Sequence, residues 1–494
     1  MASPSPGRVV DEKESIDRLE KSNTTWTDAV EIDPALDARI TKKFDRRILP
    51  WLFLLWLLAF IDRSNIGNAR IDGLATDLKL DGTKFNVALC VFYIPYIIVD
   101  VPSNLILKRV GAGIYLPFLV TIWGIISTCT GFVTSYTGLL VVRFFLGLAE
   151  GGMLGGMILY LSMFYRRHQL VYRIVQFYCA APLSGAFGGL LATGLAEIRV
   201  SRYNGWPWIF FVEGIITVLA GIAAGFFLPH TPAESKFLTQ EERDGAVARM
   251  KLDSHGGATA DEVKDEAFSW YWVRKAFFNW NTCLLSLNFF AIITPIYSYS
   301  LFLPSIISAL GYKRVEAQLL TVPPNIAAFL VVLLTGWISD KYRARGPFML
   351  VGATVSIIGY IMLISTGRPL ISYGGTFLVA VGVFPCSPLV MGWLANNLSP
   401  HFTRATGTGA QIMFANMAAF IATWTYIQDD APRYITGHAI NIGMLGLSLF
   451  CSTTCMLYCT WENRKRAAGG RDYRLAQGGD RQLGYRHPEF RYTI

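Results

Sequence analysis

Twelve long, mainly apolar segments dominate the hydropathy pattern of the chain, and short basic or Gly- and Pro-containing links separate them. Each segment holds roughly 20 residues, which at about 1.5 Å per residue crosses a hydrocarbon layer of about 30 Å as a helix. The pattern therefore predicts twelve membrane-spanning helices. Their predicted positions are residues 48–68, 84–105, 113–134, 138–164, 172–196, 206–228, 276–303, 315–338, 347–367, 371–394, 405–427 and 436–460.

One long hydrophilic link divides these helices into two groups of six. The predicted organisation is a tail at 1–47, a six-helix half at 48–228, the link at 229–275, a second six-helix half at 276–460 and a tail at 461–494. An even number of spans puts both termini on one side, and the basic residues near the membrane favour the cytosol for that side. The tail from Gly469 onwards is rich in glycine and charge and is expected to be disordered.

Composition narrows the class of protein further. Of the 494 residues, 52% are hydrophobic and 16% are charged, and the mean hydropathy is +0.38. Soluble domains carry about a quarter charged residues, so a soluble enzyme is excluded. The strands of an outer-membrane barrel would alternate over about ten residues, which these segments do not do. The six histidines are scattered, and no nucleophile–base pair stands at a usable spacing, so no enzyme is predicted.

The net charge of +9 does not indicate nucleic-acid binding. Basic residues gather at the ends of apolar segments and in the tails, for example Lys42, Lys43, Arg46 and Arg47. Cytoplasmic flanks of membrane helices carry such residues. We therefore expect these basic residues to lie beside the lipid bilayer, which is the expected partner, and we expect no nucleic acid.

Three cysteines of the last segment, Cys451, Cys455 and Cys459, share one helix face at i, i+4 and i+8. A soft metal site is one interpretation of this spacing. No nearby histidine or acid completes such a site, and small buried thiols in a membrane helix are the favoured interpretation. No metal and no cofactor are predicted.

Glycines repeat every fourth residue in the fourth and fifth segments, at Gly147, Gly151 and Gly155 and at Gly185 and Gly189. Small residues at this spacing let helix backbones approach closely. We interpret these glycines as packing positions and assign them no chemistry.

Apart from Glu316 near the start of the eighth segment, the Asp, Glu, Lys and Arg residues inside the segments belong to the first half. The candidates among them are Asp62 and Arg63 in the first segment, Arg143 and Glu150 in the fourth, and Glu213 in the sixth. A charge at membrane depth costs several kcal/mol unless it is paired or faces water, so each is a candidate functional residue. Counting the helical rise from the segment ends places Asp62, Arg63 and Arg143 at one level and Glu150 about 10 Å deeper, so that the four can form one polar ladder.

Two interpretations of this ladder remain open. In the first, a buried carboxylate beside an arginine exchanges a proton, and its protonation frees the arginine to bind an anionic substrate. In the second, the four side chains form a permanent structural salt-bridge network. We favour the first, because a static ion pair is costly in lipid. For Glu213 we expect a structural or gating role.

The second half offers neutral polar groups instead of charges. They are Asn288, Asn325, Asn396, Asn397, Gln411 and Asn416, and prolines accompany them in the same segments. Kinked helices lined with amides suit a substrate cavity between two halves. Asn288 and Asn416 are candidate substrate contacts, although each asparagine could equally bridge helices.

The twelve-helix plan with a long central link resembles the major facilitator superfamily. Gly336-Trp-Ile-Ser-Asp340-Lys341-Tyr-Arg343 is similar to its cytoplasmic gate motif in the second half. The first-half counterpart, Pro102-Ser-Asn104-Leu-Ile-Leu-Lys108-Arg109-Val-Gly111, lacks the aspartate, and Asp100 is a candidate for part of that role. The resemblance implies an all-α integral membrane protein with the major facilitator fold, and gating roles for Asp100, Arg109, Gly336, Asp340 and Arg343.

Asp62-Arg63-Ser-Asn65-Ile-Gly67-Asn68-Ala69, together with Arg143 and Gly147-Leu-Ala-Glu150-Gly151, is similar to the anion:cation symporter family. Trp208-Ile-Phe-Phe-Val-Glu213-Gly214 and Asp430-Ala-Pro432-Arg433-Tyr434-Ile-Thr-Gly437-His438 look like its fungal allantoate permease branch. This resemblance implies that Asp62 and Glu150 are proton-coupling acids and that Arg63 and Arg143 bind them or the substrate carboxylate. It also suggests Tyr93 and Gln176 as cavity contacts. The seventh segment lacks the substrate-binding arginine of some relatives.

The resulting hypothesis is a monomeric carrier of the plasma membrane that imports a small organic anion together with protons by alternating access. A monocarboxylate or vitamin-like acid is the expected substrate. Export of an acidic secondary metabolite is the main alternative. Antiporters of this superfamily typically show Gly-Pro followed by Gly-Gly in helix five, and Ser184-Gly185-Ala-Phe-Gly188-Gly189 stands there instead. A nutrient receptor that no longer transports is a third, less favoured hypothesis.

Overall fold

The computed structural model describes residues 33–195, 198–200, 203–255, 270–342, 344–399, 401–474 and 484–494. These residues are mainly helical, and one hairpin pairs β1 (Arg199–Val200) with β2 (Tyr203–Asn204) in antiparallel fashion. The α-helices are α1 Pro34–Arg47, α2 Leu49–Ala69, α3 Ala75–Asp77, α4 Lys84–Val110, α5 Ala112–Thr130, α6 Tyr136–Glu150, α7 Met153–Phe164, α8 Arg167–Tyr178, α9 Ala180–Leu195, α10 Pro207–Phe227, α11 Gln240–His255, α12 Trp270–Phe277, α13 Trp280–Ala309, α14 Arg314–Leu319, α15 Val322–Tyr342, α16 Gly346–Ser365, α17 Pro369–Asn396, α18 His401–Asn416, α19 Ala418–Ala422 and α20 Ile435–Ala467. A π-helical turn at Arg70–Leu74 continues α2, and 3-10 turns lie at Gln428–Asp430, Asp472–Arg474 and Gly484–Arg486.

The prediction of membrane helices is confirmed. Nine helical segments in the described ranges are long and apolar enough to cross a membrane. The predicted first, second and eleventh spans are also helical, as α2, α4 and α18. In α2 every residue from Leu58 to Ala69 is buried. Because its polar side chains face protein and not lipid, such a helix can lie at membrane depth.

Helix packing divides the bundle into two halves. In the first half α5 packs on α10 and α4 packs on α6, and in the second α16 packs on both α17 and α20. The halves meet where α2 lies against α13 and where α9 lies against α15. A polar site placed on α2 is therefore at the junction of the two halves.

The fourth predicted span is interrupted. Helix α6 ends at Glu150 and α7 begins at Met153, with Gly152 at a φ of 83°. Glycine adopts this left-handed conformation without steric cost. The interpretation of Gly147 and Gly151 as packing positions is confirmed, because a Cβ at either would collide with backbone of α4, at Phe92 and Tyr96 respectively. This close approach brings the end of α6 against α4.

The glycines of α9 pack against the second half, whereas Gly147 and Gly151 pack against α4 of the first half. A Cβ at Gly185 would stand 2.6 Å from Nδ2 of Asn325, and one at Gly189 would stand 2.8 Å from the carbonyl oxygen of Gln318. Both neighbours belong to the second half. These glycines therefore close the two halves together on the side of the bundle opposite the termini, which we call the far side.

Further contacts between the halves lie on the far side. Gln318 donates from Nε2 to Asp72 at 2.8 Å, and Asn86 donates from Nδ2 to the carbonyl oxygen of Thr423 at 2.6 Å. Gly67 of α2 packs directly on the backbone of Leu301 in α13. The far side is thus closed in this structure.

Two helices outside the bundle pair on the side of the termini. Arg249 of α11 bonds to Asp37 of α1 at 3.0 Å, and Lys43 bonds to Glu242 at 2.6 Å. Arg249 also donates to the carbonyl oxygen of Phe164 at 2.6 Å, which ties this pair of helices to the end of α7. Part of the hydrophilic link is therefore an ordered helix on the first half.

The C-terminal region is more ordered than its composition predicts. Helix α20 continues past the predicted end at residue 460 to Ala467, and residues 484–494 fold back onto it. Buried Arg466 donates to the carbonyl oxygen of Phe490 at 2.8 Å and to the hydroxyl of Tyr492 at 3.1 Å. The expectation of disorder is wrong for residues 484–494, because their backbone carbonyls satisfy this buried guanidinium, while residues 475–483 lie outside the described ranges.

Candidate functional site

A buried ion pair joins α2 to the end of α6. Arg63 donates from Nε to Oε1 of Glu150 at 2.6 Å, and its Nη2 lies 2.5 Å from the same oxygen. Both side chains are almost fully buried, at 6% and 1% residue exposure. The depths counted from the sequence separate these two residues by about 10 Å, whereas the structure joins them directly. The second carboxylate oxygen, Oε2 of Glu150, has no hydrogen-bond partner among the described residues.

Aromatic side chains surround the guanidinium of Arg63. Its Nη2 donates to the hydroxyl of Tyr96 at 2.9 Å, and its Nη1 donates to the hydroxyl of Tyr297 at 3.4 Å. The guanidinium carbon lies 4.9 Å from the ring centre of Tyr96 and 5.3 Å from that of Phe60. Such cation–π contacts stabilise a desolvated cation. The aromatic cage therefore adds to the ion pair with Glu150 in holding the guanidinium in place.

The site includes residues of both halves. Tyr297 belongs to α13 of the second half, and its hydroxyl donates to Oδ1 of Asn416 in α18 at 3.2 Å. Its ring lies 5.5 Å from the ring of Tyr93 in α4. A chain of contacts thus leads from Arg63 across the junction to Asn416. Movement of one half relative to the other would break this chain.

Asp62 points away from this ion pair. Its carboxylate accepts hydrogen bonds from Nε1 of Trp123 and from Oγ of Ser127, both at 2.6 Å and both on α5. Successive residues of a helix are about 100° apart, so Asp62 and Arg63 cannot face the same neighbour. The expected single ladder is therefore two adjacent groups: an ion pair at Arg63 and a separately held carboxylate at Asp62.

Arg143 is a buried cation without an ion pair in the described residues. It is 3% exposed, and its Nε and Nη2 have no hydrogen-bond partner there. Asp62, Glu150 and Tyr93 lie within electrostatic range of it. A desolvated guanidinium offers five N–H donors in a fixed fork, so two free donors here form a ready contact for a carboxylate.

The other predicted cavity contacts fall in different places. Gln176 of α8 is half-buried, and its Oε1 has no partner among the described residues. Asn288 instead bridges α13 to α20, because it donates to Ser452 at 2.8 Å and accepts from Ser448 at 2.6 Å. The site therefore gathers Tyr93 and Asn416 but does not draw in Asn288.

The predicted gate residues lie toward the side of the termini. Gly336 of α15 packs against Val175 of α8, so a Cβ there would stand 2.5 Å from a Val175 methyl group. Asp340 accepts from Nη2 of Arg345 at 2.6 Å. Asp100 is buried, Arg109 is exposed at the end of α4, and Arg343 lies outside the described residues. Their gating roles stay predictions.

Glu213 is a further buried acid near Asp62. It is 4% exposed, neither carboxylate oxygen has a hydrogen-bond partner in the described ranges, and Asp62 is within electrostatic range. Its neighbour Gly214 packs on Thr128 of α5, one residue beyond the serine that holds Asp62. Both acids therefore border the same helix. The predicted structural or gating role of Glu213 stays a prediction.

Sequence reasoning missed Tyr96, Trp123 and Ser127. Their signal is spacing: Tyr93 and Tyr96 are three residues apart and Trp123 and Ser127 four apart, so each pair lies on one helix face. The three cysteines of α20 are buried, and Cys455 and Cys459 contact Asn281. No cluster of three metal-ligating histidine, cysteine or acidic side chains is found in the described ranges.

A bundle of two helical halves that meet around a buried charged pair defines a membrane transporter, and comparison with known proteins agrees. The chain belongs to the Major Facilitator Superfamily, whose profile matches residues 52–452. It therefore has the twelve-helix, two-half fold of that family, and it is a transporter and not an enzyme.

Relatives and solved structures support the assignment over nearly the whole chain. An uncharacterised transporter of Schizosaccharomyces pombe is 33% identical over 95% of this chain and 92% of its own length. The major facilitator-type transporter hxnP of Emericella nidulans is 31% identical over 94% of this chain and 95% of its own. The structure of the proton:xylose symporter XylE bound to 6-bromo-6-deoxy-D-glucose covers 84% of this chain and 95% of its own, with a TM-score of 0.65 and 15% identity. At that identity the likeness concerns the fold alone.

Proposed function

We propose that this protein is a proton-coupled importer of a small organic anion, a monocarboxylate or vitamin-like acid, and that it works by alternating access in the plasma membrane. In this proposal both termini and the ordered link helix face the cytosol, and the far side faces the medium. The observation that carries the proposal is Arg143, a guanidinium residue that is 3% exposed and whose Nε and Nη2 have no hydrogen-bond partner in the part of the chain that the structure describes.

The charge balance of the site supports coupling to protons. Asp62 and Glu150 offset Arg63 and Arg143 when all four are ionised, so these four charges then sum to zero; nearby Glu213 is not part of this sum. Protonation of one acid leaves one uncompensated positive charge in a medium of low dielectric constant, where a carboxylate anion restores neutrality. Proton and anion binding therefore favour each other, which is the linkage a symporter needs.

Glu150 is the better placed of the two acids to release an arginine. It alone of the pair bonds directly to Arg63, whereas neutral donors hold Asp62. When Glu150 gains a proton, Arg63 loses its anionic partner while its aromatic cage remains. Arg63 and Arg143 can then bind the incoming carboxylate together.

Uptake of labelled carboxylates into cells that lack their own carriers tests the proposal. The panel should include aromatic, ureido and hydroxylated acids, each measured at acidic and at neutral external pH, with and without a protonophore. We expect acid-stimulated, protonophore-sensitive uptake of at least one acid. Faster efflux of a preloaded acid without uptake would contradict import and support export.

A matched pair of arginine variants tests the anion site. Arg143→Ala removes the buried guanidinium and should abolish carboxylate uptake, whereas Arg368→Ala removes an exposed guanidinium at the start of α17 and should leave uptake intact. Normal apparent affinity in the Arg143→Ala protein would place the anion site elsewhere.

A further inference from the structure

A small cavity of about 20 Å³ lies between the halves, displaced from the ion pair toward the far side. Helices α2 and α9 line it from the first half, and α13 and α15 line it from the second. Its polar lining residues include Ser64, Asn68, Ser184, Ser300, Thr321 and Asn325. No charged residue lines it, so it is chemically distinct from the site at Arg63 and Arg143.

Amide groups beside this cavity lack hydrogen-bond partners. Asn68 is 2% exposed, and its Oδ1 has no partner within the described residues. The adjacent Asn65 is fully buried, and neither its Oδ1 nor its Nδ2 has one there. A buried polar atom without a partner is costly, and such atoms call for an explanation by a ligand or water. Asn68 lines the cavity and offers it one acceptor without a partner, Oδ1, whereas Asn65 is not one of the lining residues.

We propose that this cavity is a neutral hydrogen-bonding subsite that binds a hydroxyl, amide or ureido group of the transported anion. This inference rests on the proposed function, because it assumes a carboxylate held at Arg63 and Arg143. Asn68 follows Arg63 by five residues, which corresponds to about 7.5 Å along the axis of α2 and about 140° around it, so the two side chains lie on different faces of the helix. The substrate class is thus a carboxylic acid that also carries a polar, uncharged group and is long enough to extend from one face of α2 to the other.

The present volume of the cavity explains how the subsite would work. A space of about 20 Å³ holds about one water molecule and no substrate group. Its walls come from both halves, so it widens when the halves part on the far side. The polar group of the substrate binds there in the open state, and its hydrogen bond satisfies the Asn68 amide oxygen, which an apolar group would leave without a partner.

Two variants with a matched control test the subsite. Asn68→Leu replaces the amide with an apolar group of similar size. Ser184→Ala is milder, because it removes a hydroxyl whose bond is only to the carbonyl oxygen of Ala181 at 2.6 Å. Ser162→Ala removes a hydroxyl with the same local bond, at 2.7 Å to Leu159, but outside the cavity. Each is assayed with pairs of acids of equal size that end in a polar or an apolar group.

We expect Asn68→Leu to raise KM for polar-ended acids by about tenfold or more and to leave apolar-ended acids unchanged or improved. Ser184→Ala should act in the same direction more weakly, and Ser162→Ala should do nothing. An equal change in KM for both kinds of acid, or no change, would overturn the subsite. The proposed function would still stand in that case, provided that the variants take up carboxylates.

If the wild-type protein transports no carboxylate, a binding assay can still test the subsite separately from the proposed function. Uncharged polyols and ureas are then tested for thermal stabilisation of the purified full chain. Stabilisation of the wild type that disappears in Asn68→Leu supports the subsite even though the proposed function has failed. Absence of any stabilisation, or its persistence in the variant, overturns the subsite as well.

Discussion

Closure of the far side depends on the missing side chain of Gly189. A methyl group there would stand 2.8 Å from the carbonyl oxygen of Gln318 and would also meet Oγ1 of Thr321. An ordinary carbon–oxygen contact is about 3.3 Å or more, so Gly189→Ala overlaps by about 0.5 Å with a backbone atom of the other half. The overlap exists only when the halves are closed on this side.

The size of the effect follows from the cost of overpacking. Forcing an extra methyl group into a packed contact typically costs about 1–3 kcal/mol. If this cost falls on the closed state alone, the ratio of open to closed molecules rises by about 5- to 150-fold. Gly194→Ala is the matched control, because Gly194 lies in the same helix with nothing within 4 Å of its Cβ position.

Labelling of a cysteine at the junction measures the ratio of open to closed molecules. Leu303→Cys places a thiol in the wall of the far-side cavity, where a membrane-impermeant maleimide reaches it only when the far side is open. Gly189→Ala should raise the labelling rate in intact cells by the factor above, after normalisation to surface protein. Equal rates in the Gly189→Ala and Gly194→Ala backgrounds would refute the reasoning.

Three further predictions concern other parts of the molecule. Glu150→Gln should leave exchange of substrate measurable but abolish accumulation against a gradient, and unchanged pH-driven accumulation would remove Glu150 from coupling. Burial raises the pKa of Glu242, but hydrogen bonds from Lys43 and from a backbone N–H outweigh it and hold that pKa below its usual range. The contact between α1 and α11 should therefore persist at neutral pH and weaken as the pH falls through the lowered pKa, which hydrogen exchange of α1 can follow, with Lys43→Met as the variant that removes the pH dependence. Arg466→Met should lower the apparent melting temperature of the purified protein by about 3 °C or more, whereas exposed Arg464→Met should not; equal melting temperatures would show that the docked C-terminal segment contributes little.

Much of the fold and of the site could be predicted from sequence because membrane helices obey simple rules. Length and hydropathy located the spans, and the cost of burying charge singled out Arg63, Arg143 and Glu150 as residues that need a reason to be there. Helical rise then placed Arg63 and Arg143 at one level and Glu150 about 10 Å deeper. Each of these steps uses only the order of residues along the chain.

The direction of each side chain and the partners from distant segments could not be obtained in this way. The bonds from Trp123 and Ser127 to Asp62 depend on the rotation of α5 about its own axis, which hydropathy does not specify. The interruption after Glu150 could not be distinguished from a stripe of packing glycines, because the sequence does not show which glycine adopts a left-handed conformation. Residues 484–494 dock through buried Arg466 and through the amides of Asn397 and Asn463, and composition does not show where these side chains bond.

The burial of α2 has a consequence for synthesis of the protein. This helix leaves the ribosome first among the membrane spans, yet it carries an arginine and an aspartate that are each unfavourable in lipid by about 2.5–3.5 kcal/mol on insertion scales. The partner of Arg63 is 87 residues further along the chain. At about 5–20 residues per second, it follows about 4–17 s later. During that interval the translocon or a membrane chaperone must shelter a helix that becomes stable only when the first half is assembled.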